Sequence, residues 1–426
     1  MKRNSILGFC FLFALGSIHL QEAKGQLQQA DSSLKYITGE GTFLSLGKAE
    51  GTRLNLLTTI QSGFQYTHID SSSNPNSNRL SLNLVRIAFS ASTRKDKITV
   101  GIVTDLTGVT PILEGWVGFS IFKRRAKLIV GQKQTHTNNR LAMADERYAQ
   151  TMGQTLGGKS NDGTTYGGVM QSFVGSTREG GIFLESNFSL NSCRIYPSVS
   201  LTTGEGQNFF SAQPNVGFKY GGRIDIMPLG DFIKNNAFIA HDIYREHKPK
   251  LAFGFAASFN AKASSPIGSD NAATLGIYNK SGATDFADYR KIAADFIFKY
   301  NGFALVGEYI NGTVTGKELY TNSSGTKKLT TDTASFFYNI GSAFNLQSSY
   351  VFANGWAVDG RFSMVTPEFD LTNSLIHRQK WYTLGLNRFI KNNAVKIGMN
   401  VTSIENSTPL ISAKKWIANF AIQILM

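Results

Sequence analysis

The chain has 426 residues and a formal net charge of +14, with 42 glycines, only 9 prolines and 31 phenylalanines. No apolar run reaches the roughly 18 residues that a membrane-spanning helix needs, so helical spans are excluded, whereas a membrane β-barrel, whose lipid face is hidden by alternation, is not. The basic excess suits anionic solutes or lipid rather than nucleic acid, because Lys and Arg are scattered instead of clustered.

Residues 1–25 read as a secretory signal. Lys2 and Arg3 form the basic start, Ile6–Leu15 the apolar centre, and Ala23-Lys24-Gly25 a small-x-small cleavage site. Cys10 falls in the apolar centre, so the exported chain would keep Cys193 alone and form no intramolecular disulfide. Residues 26–50 are a weakly patterned periplasmic lead-in or first strand.

From Arg53 onward a period of two sets in. Leu54, Leu56, Thr58, Ile60, Phe64 and Tyr66 share one face, and Asn55, Thr59, Gln61, Gly63 and Gln65 the other. His68–Asn78 is a loop, and Leu80–Ser92 returns with Arg86, Ala88 and Ser90 opposite an apolar face. Gly115–Phe122 and Lys127–Gln134 form a hairpin around the tight basic turn Lys123-Arg124-Arg125. A long polar segment from Asn138 to Gly163 follows, carrying Arg140 and Arg147.

The alternation is clearest further on. Tyr220, Ile224 and Ile226 oppose Lys219, Gly221, Arg223 and Asp225; Phe253 and Phe255 share a face; Ile292, Ala294, Phe296 and Phe298 oppose Lys291, Asp295 and Lys299. Trp356, Val358 and Phe362 oppose Asp359 and Arg361, Ile397 and Met399 oppose Lys396 and Asn400, and the chain ends on Phe420, Ile422, Ile424 and Met426 along one face.

These runs have the length of tilted strands crossing a bilayer, about 9–11 residues. Sandwich strands average about 5 or 6 residues. Connections alternate as well: Thr93–Asp96, Lys123–Arg125 and Pro228–Asp231 are short, whereas His68–Asn78, Asn138–Gly163, Ser264–Asp288 and Asn311–Thr333 are long. Short turns on one rim and long loops on the other are the layout of an outer-membrane barrel. The expected fold is therefore all-β, an antiparallel transmembrane β-barrel over residues 51–426. Pattern counting gives roughly 18 strands.

A charge on the lipid face near mid-bilayer costs about 2–4 kcal/mol. Lys133, Lys219, Arg223, Lys291 and Lys299 are accordingly expected to face the lumen, with Arg86 on the corresponding face of its strand. Arg140 and Arg147 are the loop candidates for an anion contact, because a guanidinium offers forked hydrogen bonds to an oxyanion. The bland alternatives are wall charges paired with Asp225 or Asp295, and a solvated loop in which Arg147 pairs with Asp145 or Glu146. Lys123–Arg125 reads as a solvated turn. Trp116, Trp356, Trp381 and Trp416 are expected in interface girdles. His241 and His247 have neither the i,i+2 spacing of a strand metal pair nor the i,i+4 spacing of a helical one, and read as loop histidines. No catalytic, nucleotide-binding or metal motif occurs, so neither an enzyme nor a cofactor is expected.

Several stretches, in colinear order across most of residues 80–426, resemble the phosphate-selective porin O and P family. They are Leu113–Phe122, Leu128–Gln134, Arg140–Met152, Arg178–Glu185 (REGGIFLE), Thr203–Asn208 (TGEGQN), Gly222–Phe232 (GRIDIMPLGDF), Lys299–Glu308, Gly360–Glu368 and Tyr382–Arg388. The resemblance implies a 16-stranded trimeric porin of the bacterial outer membrane. It also implies an inward-folding third loop around 138–163 and basic side chains along an anion path. One departure stands out: where the family tends to carry an arginine doublet, this chain has Asn83-Leu84, and only Arg86 remains nearby. The resulting expectation is a passive porin for small hydrophilic, anionic solutes, a homotrimer in contact with outer-membrane lipid and lipopolysaccharide. The alternatives are an uptake channel for one larger ligand, a barrel hydrolase, or a soluble secreted β-sheet binding protein.

Overall fold

The computed structural model describes residues 33–46, 51–70, 73, 75–93, 96–107, 112–143, 171–174, 177–208, 217–267, 275–406 and 414–426; the expected signal (1–25) and Arg147 lie outside the described residues. A hairpin, β1 (Ser33–Ile37) and β2 (Gly41–Leu46), precedes the wall, so the expected lead-in contains paired strands. The wall follows as β3 (Thr52–Ile69), β4 (Asn76–Ser92), β5 (Ile98–Asp105), β6 (Ile112–Ile121), β7 (Ala126–Gln134) and β8 (Arg178–Ser186), the last continued by the short β9 (Phe188–Leu190). It goes on with β10 (Cys193–Thr202), β11 (Lys219–Met227), β12 (Lys250–Asn260), β13 (Asp288–Tyr300), β14 (Phe303–Thr315) and β15 (Gly341–Val351). The final four are β16 (Trp356–Pro367), β17 (Gln379–Ile390), β18 (Val395–Asn406) and β19 (Lys414–Leu425).

Each strand pairs antiparallel with the next, and β19 returns to β3 from Lys415↔Ile69 to Leu425↔Thr59. Thr58 and Met426 complete the seam with reciprocal backbone hydrogen bonds of 2.7 and 2.8 Å. Taking β8 and β9 as one interrupted strand, the ring is a closed barrel of 16 strands. Closure satisfies every edge, which a bilayer demands of any spanning sheet.

Register makes the alternation physical, because a one-residue slip would exchange the two faces. Leu384 is 74% exposed on the outside while Thr383 beside it is 3% exposed; Ile292 is 53% exposed and Lys291 2%. Apolar side chains point out and polar ones in, the reverse of a water-soluble sheet protein. That distribution is stable only where the outer solvent is itself apolar.

Three expectations are corrected. The pattern count of about eighteen strands overshoots, in part because residues 228–249 are not a short turn followed by strand. They form one long connection with a 3-10 segment, Ile233–Phe238, whose apolar Ala237, Ile239 and Ile243 are buried. The loop expected at His68–Asn78 is shorter, since β3 continues to Ile69 and β4 begins at Asn76. Of the four tryptophans, Trp356 and Trp416 lie outward at 44% exposure each, but Trp381 is buried and Trp116 pairs with the inward position Gly131. Outward parity on those two strands belongs to Val117 and Phe119, and to Tyr382 and Leu384.

Candidate functional site: the constricted lumen

The connection between β7 and β8 begins by folding into the barrel. Asn139 donates to the carbonyl of Tyr309 on β14 at 3.0 Å, and Leu141 N–H donates to Glu308 Oε1 at 3.2 Å. Arg140 is fully buried; its backbone N–H and Nε reach the two oxygens of Asp295 at 3.0 and 2.9 Å, and its Nη2 pairs with Asp225. Arg223 bridges the same two carboxylates, at 2.8 Å to Asp225 Oδ2 and 2.9 Å to Asp295 Oδ1, and donates to the carbonyl of Asn138 at 3.0 Å. Two guanidiniums and two carboxylates thus compensate each other and strap the loop to β11 and β13. Gly254 makes room: a side chain there would overlap the Arg223 guanidinium.

The remaining described candidates also face inward and have partners. Lys291 donates to Asn138 Oδ1 at 2.7 Å and to the carbonyl of Phe173 at 3.3 Å, which ties down the far end of the same connection. Lys219 pairs with Glu179 at 2.6 Å, Arg86 with Asp105 at 3.5 Å, and Lys133 with Glu185. Lys299 donates to Asn236 O and Oδ1, both at 2.7 Å, and to the carbonyl of His241 at 2.6 Å.

Lys299 thereby holds the second inward element, the connection 228–249 on the opposite rim. His241 is fully buried there, with Nε2 3.1 Å from Asp359 Oδ2 on β16 and its ring against Phe389. Burial holds the His241 pKa below the ordinary imidazole value, against the opposing pull of Asp359. Its Nδ1 has no hydrogen-bond partner among the described residues, so a second ring proton would be unaccommodated. Asp242 accepts from Asn236, from the Glu246 backbone and from Gly302 N–H, which fixes the shape of the connection. On the long-loop rim, burial raises the pKa of Glu205, which accepts from Ser264 of the neighbouring loop.

The two inward elements meet: Leu141 and Ala237 share one buried apolar cluster, and the Arg140 guanidinium lies 5.4 Å from the Phe238 ring centroid. They pack against the inner face of β11–β18. Among the described residues, two cavities of about 410 and 290 Å³ lie along the inner wall from β3 to β11. Both are lined by His136, Glu185 and Phe238, which form the waist between them. Sequence reasoning missed Glu185, Trp116 and Phe238. Parity along β6 could have placed Trp116 in the lumen; nothing local marks Phe238.

The fold has counterparts among solved structures. An anion-selective porin from Comamonas acidovorans aligns with a TM-score of 0.52 at 10% identity, over 88% of this chain and 100% of that one. The outer membrane channel DcaP of Acinetobacter baumannii aligns with a TM-score of 0.51 at 9% identity, over 90% and 99% of the two chains. Such low identity carries the fold alone. No family model and no curated protein sequence matches the chain.

Proposed function

We propose that the protein is an outer-membrane channel for passive diffusion of small hydrophilic solutes. The observation that carries this reading is the closed barrel with an apolar exterior, whose interior holds two cavities beside two inward-folded connections. Long loops then face outward from the cell and the short connections face the periplasm, which makes 228–249 a periplasmic element. The porin-type fold of the two neighbours supports the reading.

The proposed ionic preference is a weak anion bias arising from the field of the whole chain. Support comes from the charge of +12 that remains when residues 1–25, with Lys2, Arg3, Lys24 and Glu22, are taken from the formal +14, and from exposed Lys123, Arg124, Arg125, Lys234, Lys248 and Lys391 on the short-connection rim. Arg86, Lys133, Arg140, Lys219, Arg223, Lys291 and Lys299 are engaged with protein oxygens, so in this reading they set shape and lining rather than strip an anion of its water. Homotrimer formation is proposed at the low part of the wall, where β5, β6, β7 and β8 have 8, 10, 9 and 9 residues against 12 in β16 to β19. Outer-membrane lipid and lipopolysaccharide would cover the rest of the exterior.

Reconstitution in planar bilayers tests the reading. Ohmic single-channel steps and a small anion-signed reversal potential in a potassium chloride gradient are expected. Cation-signed potentials would remove the field argument, and absence of conductance would remove the channel.

A further inference from the structure

We propose that the waist of the passage is a binding subsite for uncharged polyhydroxylated solutes of mono- or disaccharide size. The inference rests on the channel reading and specifies what the region shared by the two cavities holds. The larger cavity, about 410 Å³, falls at the lower end of the volumes of small-molecule sites, about 300–1,000 Å³, and the second, about 290 Å³, lies just below that range.

Charge is the first argument. Lys133 and His136 both contact the same oxygen of Glu185, His136 at 2.8 Å. Glu114 receives Arg178 Nε at 3.1 Å on one oxygen and the Trp116 indole N–H at 3.2 Å on the other. An inorganic ion entering here gives up hydration without meeting an uncompensated opposite charge, an unfavourable exchange in a confined space. A neutral polyol loses only water hydrogen bonds and finds donors and acceptors interleaved on the wall.

Shape is the second. Trp116 faces the larger cavity from the wall, and its ring occupies the space that a side chain at Gly101 would need. Phe238 and Met143 approach from the two inward connections, and Phe238 is backed by Arg140, itself fixed by Asp225 and Asp295. Apolar surfaces on both sides with polar groups between them match the alternation of C–H faces and hydroxyl edges on a sugar ring. Because Glu114 is held by Arg178 and Phe238 is backed by Arg140, neither of which lines a cavity, little ordering remains for the solute to bring about.

The experiment uses the full-length protein in planar bilayers, with glucose and maltose titrated against phosphate and succinate at equal concentration. A saturable, millimolar block of ion current by at least one sugar, and none by the two anions, is the expected result. Trp116→Ala or Phe238→Ala should raise the half-blocking concentration about three- to tenfold while the channel still conducts, since each removes one aromatic face from the solute. Lys123→Ala on the rim should leave it unchanged. A conducting channel that neither sugar blocks, or that phosphate or succinate blocks as well, overturns the subsite alone. Loss of all conductance in the unaltered protein overturns the channel reading and the subsite together.

Discussion

Arg140 and Asp295 meet twice, backbone N–H to Oδ2 at 3.0 Å and side-chain Nε to Oδ1 at 2.9 Å, with both side chains wholly buried. The double contact fixes the position and direction of the connection as it enters the lumen. Asp295→Ala leaves two guanidiniums sharing Asp225 in a buried site, and removing one partner of such a pair costs about 3–5 kcal/mol. Urea unfolding of the variant in lipid should show a loss of that order, and its open-channel current should be noisier because the inward loop has lost its strap. An unchanged unfolding midpoint would mean that the loop is held elsewhere.

The lipid face yields a second prediction. Leu384 points outward from β17 and Thr383 inward. Leu384→Arg should cost about 2–4 kcal/mol if it lies near mid-bilayer, whereas Thr383→Ser, retaining the hydroxyl that meets Thr402 at 2.9 Å, should change stability little. Equal effects at the two positions would contradict the assignment of faces.

Much of the wall was legible in the sequence because a strand's faces are set by neighbours one and two residues away. Ile292, Ala294 and Phe296 against Lys291 and Asp295 define β13 without knowledge of its partners. The lumen was not legible in the same way. Arg140 finds its carboxylates 85 and 155 positions along the chain, and no local pattern encodes that encounter. The connection 228–249 was misread because its apolar residues pack against Val351, Ala357 and Phe389 from inside the barrel; burial on several sides removes the alternation that marks a wall strand. The tryptophan girdle was assigned by residue type, although parity on β6 and β17 already placed Trp116 and Trp381 inward.

Gly101 and Trp116 give a third prediction, on width. A side chain at Gly101 would collide with the indole, so Gly101→Val must displace the ring into the passage. Overpacking of this kind costs about 1–3 kcal/mol, and the displaced ring should lower single-channel conductance. Pairing it with Trp116→Ala should restore conductance to at least the starting value. If Gly101→Val conducts normally, the ring does not bound the path.

The last prediction concerns acid. His241 has a pKa held down by burial, so the packed connection favours neutral imidazole. Above the ordinary value of about 6.5, packed and released forms are both neutral and pH has no influence through this group. As pH falls below that value, the released form binds a proton that the packed form resists, and packing weakens by up to about 1.4 kcal/mol per pH unit until the depressed pKa is reached. The neighbouring charges act in both directions: Asp359 favours the proton, while Lys396 and Lys299 oppose it. Amide hydrogen exchange across Asn236–Glu246 should therefore quicken between pH 7 and pH 5, with a parallel rise in conductance as the connection loosens. His241→Gln keeps a side-chain N–H donor toward Asp359 and cannot titrate, so its exchange rates, corrected for the intrinsic effect of pH, should stay flat over that interval. Equal acid sensitivity in the two proteins would assign the effect to another group.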